Sequence, residues 1–103
     1  MREIKFRAWD PGRKAMTPDA DPFIEEDGEA FIMQYTGLKD RNGKEIYEGD
    51  IIDLGEKNIA QVEWVESGFV LILPYGAFQL HSGGEIIGNI YENPELAPSE
   101  EEK

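Results

Sequence analysis

The sequence predicts a mainly β domain with very little helix, and three observations carry that prediction. Two stretches flank the dipeptide Asn42-Gly43: one in which Phe31, Met33 and Tyr35 alternate with other residues, and one over residues 46–54 rich in β-branched and aromatic side chains. Asn-Gly accepts the positive φ angles of a tight hairpin turn, so residues 31–54 read as strand, turn, strand. Short apolar runs broken by Gly, Pro and Ser recur through the rest of the chain, and no segment sustains the 3.6-residue apolar period of an amphipathic helix. Roughly five to seven strands are expected, with helix below about a fifth of the chain.

Taken in order, Ile4, Phe6 and Ala8 alternate with Lys5, Arg7 and Trp9, which predicts a strand with the first set buried and the second solvated. Asp10-Pro11-Gly12 is a turn signal, and residues 13–17 return as a partner, giving an N-terminal hairpin over 1–17. Residues 18–29 read as an acidic loop: they hold Pro18, Pro22 and a run of carboxylates from Asp19 to Glu29 with no basic residue. Counting from Asp19, Phe23 and Ile24 stand where a calcium loop needs an oxygen ligand and a glycine, so no metal site is expected there. Those two apolar residues are expected to pin the loop to the core.

Residues 30–92 form the expected main body. Within its central hairpin, Glu48-Gly49-Asp50 interrupts a strand pattern with a glycine, the mark of a bulge or bend. Ala60, Val62 and Trp64 alternate with Gln61 and Glu63, and Ser67-Gly68 turns the chain into residues 69–73. That run is apolar on both faces, with Phe69, Leu71 and Leu73 on one side and Val70 and Ile72 on the other. It predicts a central strand, or one whose outer face is covered by the N-terminal hairpin or a second subunit. Residues 76–80 suggest a short irregular strand and residues 86–91 a last one. Asn93 and Pro94 begin a helical turn with Asn93 as its cap, and residues 98–103 form a disordered acidic tail.

At 103 residues the chain is sized for one domain, here residues 1–97, and 40% hydrophobic content supports a folded core. It carries no cysteine, no apolar run long enough to span a bilayer and no apolar leader at its start, so a cytoplasmic protein without membrane contact is expected. A net charge of −12 repels phosphate backbones and makes direct nucleic-acid binding unfavourable. Arg2, Lys5, Arg7, Arg13 and Lys14 form the one basic cluster that opposes it.

Chemistry-bearing motifs are missing. His81 is the only histidine, which leaves no histidine metal cluster, and its neighbour Ser82 does not make a nucleophile and base pair by adjacency. Phosphate-cradling glycine loops and nucleophile elbows are absent. Glu48 and Asp50 would serve as general acid and base only if one were buried and perturbed; beside a bend they are expected to be solvated or capping groups. The expectation is a non-enzymatic protein with no catalytic residues, no metal and no cofactor. Trp9, Tyr47, Glu48 and Asp50 are the candidate interaction surface.

The run from Tyr35 to Ile51, Tyr-Thr-Gly-Leu-Lys-Asp-Arg-Asn-Gly-Lys-Glu-Ile-Tyr-Glu-Gly-Asp-Ile, resembles the central signature of the YopX-like family of phage and prophage proteins. The opening block from Arg2 to Asp10 and the closing block from Ile87 to Leu96 agree with it in order and spacing. The resemblance implies a small SH3-like barrel or roll, phage origin, and no established biochemical activity. A protein-protein interaction module of the bacterial host cytoplasm is therefore expected, its partner being a further copy of itself or a host or phage protein. A homo-oligomer is expected because the second face of residues 69–73 and the open strand edges need cover. The alternative is an acidic DNA mimic that inhibits a host nucleic-acid enzyme.

Overall fold

The computed structural model describes residues 4–20, 30–66 and 68–98. It is almost entirely β, with one short 3-10 turn at Pro94–Leu96 among the described residues. The strands are β1 (Phe6–Asp10), β2 (Ala15–Ala20), β3 (Phe31–Lys39), β4 (Glu45–Tyr47), β5 (Asp50–Asp53), β6 (Ile59–Val65), β7 (Gly68–Leu73), β8 (Gly76–Gln79) and β9 (Glu85–Asn89). They form two antiparallel sheets that curl into a half-barrel, in the orders β2, β1, β3, β4 and β8, β7, β6, β5, β9.

The central hairpin is present: Lys39 pairs with Glu45 and Tyr35 with Tyr47 across the Asn42-Gly43 turn. Its register slips once between those pairs, at Gly37, where φ is +94°. The Thr36 hydroxyl patches the slip by donating to the Ile46 carbonyl at 2.8 Å and accepting the Leu38 N–H at 3.2 Å.

Nine strands among the described residues exceed the expected five to seven, and the run read as one strand over 46–54 is two of them. Gly49, at φ +91°, bends it so that β4 completes one sheet and β5 enters the other. The corner is tied on both sides: the Gly49 N–H donates to the Val62 carbonyl and its own carbonyl accepts from Ile90, each at 2.9 Å.

Two boundaries also move. Residues 18–20, expected in the acidic loop, belong to β2, with Thr17 opposite Ala8 and Ala20 opposite Phe6. β2 tolerates Pro18 because it is an edge strand, and Asp19, at φ +55°, absorbs the extra residue of a bulge. Asn93 does not cap the final turn with its side chain; its Oδ1 accepts the Asn89 N–H at 3.2 Å instead. Residues 21–29, including Phe23 and Ile24, and the tail from residue 99 lie outside the described residues.

Two apolar clusters hold the sheets. Ile46, Ile52, Ala60, Val62, Leu71, Leu73 and Leu80 form the larger, and Trp9, Met33, Tyr35 and Tyr47 the smaller. The burial of β1 therefore does not alternate as expected: Ala8 is buried as the pattern predicted, but its neighbour Trp9 is buried too, and Ile4, just before the strand, is 70% exposed. The strand from residue 69 does lie inside its sheet, as β7 between β6 and β8, with Leu71 and Leu73 buried and Val70 and Ile72 half-buried.

Gly84 marks the tightest approach to the larger cluster. A methyl group there would press on Ile52 Cγ2 and lie 2.9 Å from the Asp53 carbonyl oxygen. Gly84→Ala should therefore cost about 1–3 kcal/mol and lower Tm by about 4 °C or more, measured by thermal unfolding. An unchanged Tm would mean that the backbone yields there without loss.

Candidate interaction surface

The residues singled out from the sequence meet at the junction of the two sheets, but three of the four are buried. Trp9 keeps 9% of its surface, Tyr47 7% and Asp50 1%; Glu48 is half-buried, its Oε1 within 3.3 Å of the Gln34 N–H. Trp9, Tyr47 and Asp50 thus belong largely to the interior, and Glu48 is the one of the four that is not buried. The reason lies in the basic side chains between them. Arg7 lays its guanidinium 4.6 Å from the Tyr47 ring centre, and Lys5 places its ammonium 5.5 Å from that of Tyr35. Their long apolar stems let a face that reads as charged point inward.

Each cation at this junction is matched. Arg7 donates to Asp50 Oδ1 at 2.6 Å, while Asp50 Oδ2 accepts the Tyr47 N–H at 2.8 Å. Burial pushes the Asp50 carboxyl above the usual range, and Arg7 and the Tyr47 N–H pull it only part of the way back. Lys5 donates to Glu45 at 2.8 Å and holds that carboxyl below the usual range. Asp50, expected to be a solvated or capping group, is a buried one whose two oxygens hold Arg7 and the Tyr47 N–H at the bend. Arg13 lies 3.7 Å from Asp10, so three members of the N-terminal basic cluster face carboxylates instead of forming an open positive patch. His81 Nδ1 accepts the Gly83 N–H at 3.0 Å and shapes a turn.

A different region has the character of a surface site. β8 is the outermost strand of the five-stranded sheet, and all four of its residues are exposed. Beside it runs an open groove of about 660 Å³ lined by Leu38, Val65, Phe69, Ala77, Phe78 and Leu80 among others. Two rings of its lining each meet a further exposed ring: Phe69 meets Trp64, 53% exposed, edge-on at 4.8 Å, and Phe78, itself 47% exposed, meets Tyr75 at 5.7 Å. The sequence carries a signal for this region that strand periodicity does not use. From Ser67 to Gly84 there is no Asp, Glu, Lys or Arg, in a chain where such residues make up 31%.

A family model described as YopX protein matches residues 18–97. Among solved structures, the crystal structure of protein EF1440 from Enterococcus faecalis is similar at a TM-score of 0.73 and 26% sequence identity, covering 93% of this chain and 99% of that one. No curated protein matches the chain.

Proposed function

The chain belongs to the YopX family, and from that premise we propose that it is a phage- or prophage-encoded, non-enzymatic protein-protein interaction module of the bacterial cytoplasm, with the β7–β8 hairpin as its contact face. One observation carries the choice of face: an exposed edge strand, free of charge and flanked by half-exposed aromatic rings, in a chain of net charge −12. Unpaired edges offer a ladder of main-chain donors and acceptors to an incoming strand, and aromatic side chains supply apolar area at low entropic cost. Absence of a membrane-length apolar helix among the described residues agrees with this reading.

The acidic-mimic reading loses support from the junction. Asp40 and Asp50 are buried, and Glu45, Glu85 and Asp10 are paired with Lys5, Arg41 and Arg13, so these carboxylates do not form an open acidic array. The two readings separate by site-specific photocrosslinking in bacteria expressing the protein. A benzophenone side chain at position 78 should give discrete adducts, and one at the exposed Glu56 should give none. Adducts confined to Glu56, carrying a basic DNA-binding enzyme and lost at high salt, would replace this proposal with the mimic.

A further inference from the structure

We infer that the occupant of the β8 edge is a second copy of this chain, giving a two-fold dimer in which β8 pairs antiparallel with β8 of its partner. The inference rests on the contact face proposed above and names what fills it. Its basis is a comparison of the strand edges that the two sheets present.

Three of the four are blocked. β2 carries Pro18 and the bulge at Asp19, which remove a donor and twist the edge. β4 is only three residues long. The outer side of β9 is occupied by the central turn, because the Ile86 N–H donates to Asp40 Oδ2 and the Gly84 carbonyl accepts the Arg41 N–H, each at 2.9 Å. β8 has none of these devices: its sequence is Gly-Ala-Phe-Gln, with no proline, no charge and no register slip against β7.

Electrostatics then chooses the partner. Two chains of net charge −12 repel each other wherever their carboxylates meet. The segment from Ser67 to Gly84 is the long charge-free stretch of this chain, so contact through it keeps like charges out of the interface. A basic protein would be drawn to the carboxylates elsewhere on the surface, whereas a second copy brings the same uncharged edge. Self-pairing also closes, since a strand that pairs with its own copy about a two-fold axis leaves neither β8 edge open. Phe78 and the groove beside it would face their equivalents across that axis.

The test is light scattering of the purified chain at roughly 100 μM, combined with two conservative-surface variants, Ala77→Lys and Gln79→Glu. Both positions are exposed, and unchanged circular dichroism checks that the variants fold. The parent should show twice the 11.7 kDa chain mass, and each variant should return toward 11.7 kDa with dissociation constants raised at least about tenfold. Dimerisation should tighten as salt rises from about 0.05 M to about 0.5 M, because screening relieves repulsion between chains whose contact is uncharged. A monomeric parent overturns the inference, and so does a dimer that survives both variants or that loosens with salt. A monomer in solution together with photocrosslinks from position 78 to a different protein would also overturn it, while leaving the interaction function standing.

Discussion

Arg7→Leu should destabilise the protein by about 3–5 kcal/mol, the cost of leaving one member of a buried ion pair without its partner. The pair is well enclosed: the Arg7 side chain is 14% exposed and that of Asp50 2%. Removing the guanidinium takes away the 2.6 Å bond to Asp50 Oδ1, the contact with Met33 Sδ at 3.4 Å and the cover over the Tyr47 ring. It also leaves a carboxylate inside the junction. The pH dependence gives a second readout. Burial already holds the Asp50 carboxyl above its usual range, and Arg7 is the largest influence pulling it down, so the variant carboxyl rises further. A carboxyl whose folded pKa is raised takes up a proton more readily in the folded state. Its stabilising share is complete below the unfolded pKa and is lost as pH rises through the folded value. Urea unfolding of Arg7→Leu should therefore show stability increasing as pH falls from about 7 to about 5, by more than in the parent. Adding Asp50→Asn should recover part of the loss at neutral pH, because the amide carries no charge and still offers an oxygen to the Tyr47 N–H. A double variant less stable than Arg7→Leu would show that the carboxylate is not the source of the cost.

The ion pair also shows where sequence reading stops. The sequence of strand β1 alternates as a half-buried strand should, yet both faces are covered at Ala8 and Trp9, because burial depends on which side chains tolerate it. Lys5 and Arg7 look like solvent markers until Tyr35 and Tyr47 supply rings for their stems and Glu45 and Asp50 supply counter-charges. The two counter-charges lie 40 and 43 residues away in the chain, beyond any local pattern. Trp9 and Tyr47 therefore read as surface aromatics and are core.

The hairpin at Asn42-Gly43 was legible because turn chemistry is local, and so was the bend at Gly49. That the bend divides two sheets was not, since its anchoring bonds run to Val62 and Ile90. The exposed β8 edge left a plainer trace, a stretch without charge. Strand periodicity passes over that trace because it asks which residues are buried, not which surfaces lack the charges that keep edges apart.

Asp40→Ala, a change in the family signature run, should cost about 2–4 kcal/mol. Asp40 is 5% exposed and acts as a staple between sheets. Its Oδ1 accepts the N–H groups of Asn42 and Lys44, closing the turn, and its Oδ2 accepts the N–H of Ile86 in β9, all at 2.9 Å. Alanine removes all three acceptors. Water can replace those at the exposed Asn42 and Lys44, but the Ile86 donor lies between the sheets and is harder to resolvate. Burial alone would raise this carboxyl; the N–H groups of Ile86, Lys44 and Asn42 outweigh it and, with the Lys44 ammonium, hold it below the usual range. For a depressed carboxyl the stabilising share is present above the unfolded pKa of about 3.9 and is lost as pH falls through the lower folded value. Asp40→Asn keeps one acceptor oxygen and cannot titrate, so it should fall between parent and Asp40→Ala at neutral pH. The gap between parent and Asp40→Asn should then shrink as the solution is acidified below about pH 4, followed by urea unfolding at each pH. A gap that stays constant down to about pH 2 would mean that the charge of Asp40 contributes nothing, and that the turn is held to β9 by the Arg41 N–H to Gly84 bond and the Arg41–Glu85 pair instead.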